Sequence, residues 1–114
     1  MSTLSTHILD TAIGLPAEGV SVSLSHLDDN SKSWKNITSG TTNSDGRIAF
    51  GEDLQCESGT YKLSFAVDAY QKKQGGKSFY PEVDIVFAID AQELSHYHVP
   101  LLLNPYGYST YRGS

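Results

Sequence analysis

The 114-residue sequence predicts an all-β protein of about eight short strands and one short helix, packed as a two-sheet sandwich. Two observations carry this prediction. Hydrophobic and polar residues alternate in one segment after another, which is the pattern of strands with one buried face. Turns rich in glycine, proline and asparagine separate these segments at short intervals. The length suits a single domain over residues 1–114 with one modest core.

The alternation is clearest in the middle of the chain. In GVSVSLSH, Val20, Val22 and Leu24 share one face, while serines occupy the other. The segments TYKLSFAVD and PEVDIVFAID repeat this pattern, so each predicts a half-buried strand. Five further segments complete the expected set of strands: LSTHILD, SWKNITSG, RIAF, YHVPLLL and YGYSTYR.

Turn and breaker residues mark where these elements end. Residues 43–46, Asn-Ser-Asp-Gly, predict a hairpin turn, because Asp-Gly readily adopts positive φ. Residues 68–74 are the one stretch that reads as helical, and Gly75 is its C-terminal stop. Pro100 cannot donate to a strand ladder, so YHVPLLL is expected at a sheet edge or with a bulge. An apolar edge there would invite pairing with a second copy of the chain.

Composition excludes several classes of function. The net charge is −5, from 13 acidic and 8 basic residues. The sequence has no cluster of basic residues of the kind that binds nucleic-acid phosphates. No apolar run approaches the length of a membrane span, so no membrane partner is expected. Neither a signal peptide nor a peroxisomal C-terminal signal is recognisable, which predicts a cytoplasmic protein. Cys56 is the sole cysteine, which rules out an internal disulfide and fits a reducing compartment.

Histidines are the first candidates for chemistry. His7 lies in the first strand and has the parity of Ser5, whereas His96 and His98 share one face of a later strand. Such an i, i+2 pair has metal-ligand geometry, and with His7 it could form a three-histidine zinc site. No motif fixes the third ligand, so neither a metal nor a cofactor is expected. A histidine within a strand is more often structural than catalytic.

The remaining candidates are an arginine, a thiol and a tyrosine-rich tail. Arg47 follows the Asp-Gly turn and is either an exposed surface residue or a clamp for an anion or a carbonyl. Cys56 has no adjacent histidine and reads as an inert thiol. No serine nucleophile elbow and no phosphate loop occur. Tyr106, Tyr108 and Tyr111 either fill a sheet face or belong to a site.

Several motifs resemble the 5-hydroxyisourate hydrolases, the enzymatic branch of the transthyretin-like family. The ending HVPLLLNPYGYSTYRGS resembles the signature of that branch, and LSTHILDTAIGLPAEGVSVSL resembles its first motif. TNSDGRI, SFYPEVDIVF and HYHVPLLL match further segments in the expected order, so the resemblance spans residues 4–114. It implies a transthyretin-like β-sandwich that assembles as a homotetramer, a dimer of dimers, with its sites in the channel where dimers meet.

The activity implied is hydrolysis of 5-hydroxyisourate to 2-oxo-4-hydroxy-4-carboxy-5-ureidoimidazoline during urate degradation to allantoin. Catalytic roles are implied for four residues: His7, Arg47, His98 and Ser114. Substrate-binding roles are implied for His7, Arg47, Tyr111, Arg112 and Gly113. No cofactor is implied.

Opening a cyclic amide needs a base to activate water and donors to stabilise the oxyanion. Histidine titrates near neutral pH, and the hypothesis is that His98, together with His7, positions and deprotonates the water. His7 is the alternative base. Arg47 would polarise the carbonyl or hold the ring. Ser114 would supply a hydroxyl and a terminal carboxylate that orient a histidine or the water.

Two other functions compete with the hydrolase. The first is a transthyretin-like carrier that binds a small hydrophobic ligand in the tetramer channel, because one fold can serve different functions. A carrier needs apolar channel walls, whereas His7, Arg47 and His98 occupy the matching positions. The second is a structural β-sandwich module for protein interaction, which would be monomeric and indifferent to loss of its last residues.

Overall fold

Two β-sheets and one short helix make up the computed structural model, which describes residues 3–50, 56–90, 92 and 96–113. The prediction of a two-sheet β-protein with one short helix is confirmed. The elements are β1 Thr3–Asp10, β2 Leu15–Pro16, β3 Ser21–Leu27, β4 Trp34–Thr41, β5 Arg47–Ala49, β6 Gly59–Ala66, α1 Asp68–Lys73, β7 Val83–Ile89, β8 His96–Asn104 and β9 Gly107–Thr110. The two-residue strand β2 is the element that the alternation did not predict.

The first sheet has the order β2-β1-β8-β9, and β5 pairs with β1 as well. The second sheet has the order β4-β3-β6-β7. The pair β1–β8 is parallel, and the other described pairs are antiparallel. Because paired residues of β1 and β8 lie 93 positions apart, the centre of the first sheet joins distant parts of this chain.

Alternate residues of both sheets point into one core between them. Val22, Leu24, Leu63 and Phe65 from the second sheet have no measurable exposure, and the same is true of Leu101 from the first. Fully burying a side chain of this kind contributes about 1.5–3 kcal/mol. The alternation in the sequence therefore predicted the correct buried face for β3, β6 and β7, and it leaves the opposite faces available for other contacts.

The Asp-Gly turn at residues 43–46 is present, but it does not close a hairpin. The strand before it, β4, pairs with β3 in one sheet, whereas β5 after it pairs with β1 in the other. Gly46 has φ +72°, and a Cβ there would lie 2.5 Å from the carbonyl oxygen of Ile8. The hairpin prediction is wrong because the chain crosses between the sheets here, and this crossing packs the turn directly against β1.

The helical prediction is confirmed, with α1 ending at Lys73 and Gly75 following it at φ +81°. Within residues 3–50, 56–90, 92 and 96–113, no helix is long and apolar enough to cross a membrane.

The prediction of an edge strand or a bulge at Pro100 is wrong. The strand β8 pairs with β1 on one side and with β9 on the other, and the register stays continuous from Leu101 opposite Thr110 to the bridge between His98 and Gly113. The Pro100 carbonyl accepts a hydrogen bond from the Thr110 hydroxyl at 2.7 Å on the β9 side. Proline is tolerated inside the sheet because its missing N–H falls in the gap between the β9 ladder and that bridge.

Candidate functional site

The site lies on the outer face of β1 and β8, opposite the core. In β1 the residues Leu4, Thr6 and Ile8 are buried, so Ser5 and His7 point outward. The parallel register sets His98 opposite Ser5 and Pro100 opposite His7. The antiparallel register of β5 sets Arg47 opposite His7. Three strands that are distant in sequence therefore bring the predicted histidines and arginine to one surface.

These side chains line a groove with a volume of about 370 Å³. Its lining residues are all polar apart from a glycine: Ser5, His7, Arg47, His96, His98, Tyr111 and Gly113. The ring centroids of His7 and His98 are 6.4 Å apart, with an interplanar angle of 29°. Five of the seven predicted site residues therefore meet in one place: His7, Arg47, His98, Tyr111 and Gly113.

The Asn43–Gly46 turn explains how Arg47 reaches this surface. The Asn43 side-chain oxygen accepts hydrogen bonds from the backbone N–H groups of Asp45 and Arg47, at 2.9 and 3.0 Å. The backbone N–H of Ile8 donates to the Gly46 carbonyl at 2.8 Å, which fixes the turn on β1. The Arg47 side chain is exposed, so its guanidinium remains available to a ligand in the groove.

The C-terminal segment forms the other wall. The Gly113 backbone N–H donates to the His98 carbonyl at 2.8 Å. A Cβ at Gly113 would lie only 2.6 Å from Cδ2 of His98, so the backbone passes directly over the imidazole ring. The Tyr111 side chain lines the groove and remains 58% exposed. The tail thus shapes the surroundings of His98 through its backbone as well as through a side chain.

One described site residue, Arg112, is not brought into the groove, and another predicted site residue is not described. The Arg112 guanidinium carbon lies 4.4 Å from the centroid of the Tyr97 ring, and Arg112 lines a different pocket together with residues of β7. Ser114 lies outside the described residues. Among the other tail tyrosines, Tyr106 and Tyr108 are exposed and contact Phe79 and Tyr80 respectively, away from the groove.

Two groove residues are absent from the catalytic and substrate-binding set that the sequence predicts: Ser5, and His96, which the sequence suggests only as a zinc ligand. The Ser5 hydroxyl lies 2.8 Å from Nδ1 of His98 and 2.7 Å from Nε2 of His96. The available signal was the alternation along each strand. Ser5 lies on the same face of its strand as His7, and His96 lies on the same face of its strand as His98. Parity alone could not show that β1 and β8 are parallel neighbours, which is what brings the two pairs together.

Burial and positive charge lower the pKa of both central histidines. For His7, burial lowers the pKa most and the Arg47 charge lowers it further, while a hydrogen bond to the Asp45 backbone and the Asp45 charge oppose them. For His98, burial again lowers the pKa most, followed by the charges of Arg47, His7 and His96. The neutral form of both rings therefore predominates at pH 7, and each neutral ring carries one nitrogen lone pair that can accept a proton.

The groove does not have the arrangement of a metal centre. The described part of the chain contains no group of three or more histidine, cysteine, aspartate or glutamate side chains placed to hold a metal ion. Instead, the Ser5 hydroxyl bonds to one ring nitrogen of each histidine on β8. Two neutral imidazoles beside a permanently charged guanidinium are suited to proton transfer next to a developing negative charge.

Comparison with known proteins gives the family. The family model described as "Transthyretin: HIUase/Transthyretin family" matches residues 4–113. The chain belongs to the HIUase/transthyretin family. The 5-hydroxyisourate hydrolase of Mus musculus is 47% identical, covering 99% of this chain and 96% of the mouse protein. The 5-hydroxyisourate hydrolase of Mesorhizobium japonicum is 44% identical over 97% of this chain and 91% of its own length.

Solved structures of the HIUase/transthyretin family include proteins with different names. The structure of Klebsiella pneumoniae 5-hydroxyisourate hydrolase has a TM-score of 0.84 and 41% identity, with full coverage of both chains. Sea bream transthyretin in complex with thyroxine has a TM-score of 0.88 and 31% identity, covering 96% of this chain and 93% of the other. The fold is therefore shared by a hydrolase and by a protein that holds thyroxine, and function has to be argued from the groove.

Proposed function

We propose that this chain is a 5-hydroxyisourate hydrolase that acts without a cofactor in the degradation of urate to allantoin. The observation that carries the proposal is the convergence of His7, Arg47 and His98 in one polar groove. The names of the mouse and bacterial relatives supply the substrate. Residues 1–114 act as a single hydrolase domain, whose product is 2-oxo-4-hydroxy-4-carboxy-5-ureidoimidazoline.

His98 is the general base of the proposed reaction. Its lowered pKa favours the neutral ring near pH 7, and its Nδ1 is engaged by the Ser5 hydroxyl, so Nε2 is the nitrogen proposed to accept the proton of a water molecule. His7, with its ring centroid 6.4 Å away, orients that water from the other side. His7 is the alternative base, because burial and Arg47 lower its pKa in the same way.

The proposed bond changes follow from amide hydrolysis. The water oxygen bonds to the ring carbonyl carbon, the ring C–N bond breaks, and the proton held by the histidine passes to the leaving nitrogen. Negative charge develops on the carbonyl oxygen, and the Arg47 guanidinium stabilises it with a permanent charge and a rigid set of donors. Arg47 also binds the substrate ring before the reaction.

The C-terminal segment completes the proposed substrate site. Tyr111 binds the substrate from the groove wall, and the Gly113 backbone holds His98 in place. Arg112 contributes at a distance, because its stacking on Tyr97 anchors the segment between Tyr111 and Gly113. Ser114 follows Gly113 in the chain and is proposed to add a hydroxyl that orients a histidine or the water.

A homotetramer, built as a dimer of dimers, is the proposed assembly. Among the described strands, β7 is an edge of the four-stranded sheet, and its Val86 side chain is 57% exposed. An apolar pocket of about 380 Å³ lies beside β7 and is lined by Ile85, Phe87 and Val99 among others. An exposed apolar edge of this kind pairs readily with a second copy. The buried free thiol of Cys56 suits the reducing cytoplasm in which we place the protein.

A thyroxine-type carrier is the competing function, because sea bream transthyretin in complex with thyroxine has the same fold. Binding sites for hydrophobic small molecules are mostly lined by apolar and aromatic side chains. In this chain the groove is lined by three histidines, an arginine and a serine in addition to Tyr111. The polar lining therefore favours hydrolysis over hormone carriage.

The test is a decay assay with a matched histidine control. Urate and urate oxidase generate 5-hydroxyisourate in place, and its ultraviolet absorbance is followed with and without the protein. We expect the wild-type protein to accelerate the decay, and His98→Gln to lose about 10²-fold or more of that acceleration. His26→Gln is the control, because His26 stacks on Tyr61 outside the groove.

Equal acceleration by His98→Gln and His26→Gln would refute His98 as the base, and His7→Gln would then be the next variant. Decay at the spontaneous rate from folded wild-type protein would refute the hydrolase itself. In that case calorimetric titration with thyroxine tests the carrier directly.

A further inference from the structure

Four side chains form a continuous hydrogen-bonded chain along the outer face of β1 and β8. The Thr3 hydroxyl lies 2.5 Å from Nδ1 of His96. The Ser5 hydroxyl lies 2.7 Å from Nε2 of His96 and 2.8 Å from Nδ1 of His98. The parallel register explains this order, because Thr3 is opposite His96 and Ser5 is opposite His98.

This hydrogen-bonded chain allows three arrangements of protons, because a hydroxyl has one hydrogen and two acceptor lone pairs, while a neutral imidazole has one N–H. In the first arrangement, His98 Nδ1–H donates to Ser5, the Ser5 hydroxyl donates to Nε2 of His96, and His96 Nδ1–H donates to Thr3. In the second arrangement every bond is reversed, so Nε2 of His98 carries the hydrogen. In the third arrangement, His98 Nδ1–H and His96 Nε2–H both donate to the Ser5 oxygen, and the Thr3 hydroxyl donates to Nδ1 of His96. The first and third arrangements leave the His98 Nε2 lone pair free to accept a proton, and in both of them the Ser5 oxygen accepts from Nδ1–H of His98.

We propose that Ser5 and His96 are positioning residues that hold neutral His98 as its Nδ1–H tautomer, so that Nε2 is the proton acceptor in the groove. The inference rests on the proposed function in one respect, namely that His98 is the base. Ser5 and His96 themselves need not touch the substrate. When His98 has taken a proton, the Ser5 oxygen still accepts from Nδ1–H, so the same bond stabilises the imidazolium.

The exposure of these four side chains supports a role for the hydrogen-bonded chain beyond stability. His96 is exposed, and Thr3 and Ser5 are only half-buried, so their hydrogen bonds compete with water and contribute little to folding. The same bonds determine which nitrogen of His98 faces the substrate. In hydrolytic triads the histidine base is likewise held in one tautomer by a group that accepts its Nδ1–H.

The first experiment reads the tautomer directly and does not depend on activity. Nuclear magnetic resonance of 15N-histidine-labelled wild-type protein at pH 8 distinguishes a protonated Nδ1 from a protonated Nε2, and His98→Gln assigns the signals. We expect the Nδ1–H tautomer in the wild-type protein and a mixture of tautomers in Ser5→Ala. An Nε2–H tautomer in the wild-type protein would overturn the proposal.

The second experiment measures kcat and KM for protein variants in which Ser5 or His96 of the hydrogen-bonded chain is replaced. We expect Ser5→Ala to lose about tenfold in kcat with little change in KM, a part of what a positioned base contributes. Ser5→Thr keeps the hydroxyl and should restore most of the rate. His96→Phe should lower kcat, while His96→Gln keeps an acceptor for Ser5 and should lose less. Ser109→Ala, an exposed serine on β9 of the same sheet, is the control.

The two experiments separate this inference from the proposed function. Wild-type activity with an unaltered kcat in Ser5→Ala would overturn the positioning role and leave the hydrolase intact. Absence of wild-type activity together with the Nδ1–H tautomer would overturn the hydrolase and leave the hydrogen-bonded chain intact. If Ser5→Ala fails to fold, the wild-type tautomer and the kinetics of Ser5→Thr and His96→Phe still decide the question.

Discussion

Replacing Gly113 by alanine is the sharpest test of how the tail supports His98. The new Cβ would lie 2.6 Å from Cδ2, 3.3 Å from Cγ and 3.4 Å from Cβ of His98. Carbon atoms in normal contact are about 3.5–4.0 Å apart, so the imidazole has to move by about 1 Å. Gly113 does not have a positive φ, so alanine itself is compatible with the backbone.

A displacement of about 1 Å at a reacting group costs about 10²-fold in rate. We therefore expect Gly113→Ala to lose about 10²-fold in kcat for 5-hydroxyisourate. The free energy of unfolding should change by only about 0.5 kcal/mol, because the contact is with a half-buried side chain at the surface rather than in the core. Activity would thus fall without a matching fall in stability.

The assay is the decay of 5-hydroxyisourate, with urea unfolding measured on the same samples. Gly107→Ala is the matched control, because it lies in the same C-terminal strand pair and a Cβ there meets no atom within 4 Å. The control should keep the wild-type rate. The reasoning is refuted if Gly113→Ala and Gly107→Ala have the same kcat, or if Gly113→Ala loses activity only because it unfolds.

The remaining predictions concern charge and burial. Arg47→Gln removes a charge that lowers the pKa of His7 and His98, so both pKa values should rise. Because the base acts when neutral, the acid limb of kcat/KM against pH should move to higher pH, and an unmoved limb would contradict this. Since folding lowers both pKa values, the free energy of unfolding of the wild-type protein should fall as pH drops below about 6.5. His98→Gln should lose less of its free energy of unfolding, as measured by urea unfolding at pH 5. Tyr70→Phe leaves the buried Asp10 carboxylate without the phenol donor at 2.8 Å, which should cost about 1.5–3 kcal/mol in urea unfolding without changing kcat.

The fold was predictable from the sequence because burial produces a local pattern. Each strand of a two-sheet sandwich buries every second residue, so Val22, Leu24 and Phe65 identify their own buried face without reference to the rest of the chain. Which strands pair is a long-range property, and the local pattern carries no information about it. For this reason the sequence wrongly predicts an edge strand or a bulge at Pro100 and a hairpin at the turn before Arg47.

The candidate site was predictable only in part for the same reason. Motif resemblance identified His7, Arg47 and His98, and the structure brings them together. The contact between Ser5 and His96 joins residues 91 positions apart, and it depends on the parallel register of β1 and β8. For Arg112 the motif predicts a site residue, but its side chain stacks on Tyr97 and does not line the groove.

The alternation of buried and outward-facing residues in β1 places the core on one side of the sheet and the groove on the other. In β1, Leu4, Thr6 and Ile8 hold the strand in place, and Thr6 donates a hydrogen bond to the Val99 carbonyl at 2.6 Å. The intervening residues Ser5 and His7 face the groove and contribute little to packing. Substitutions on the groove face can therefore change the chemistry while the sandwich remains intact. Because the core and the groove face are separate, proteins that share this fold can differ in function, as the Klebsiella pneumoniae 5-hydroxyisourate hydrolase and sea bream transthyretin do by name.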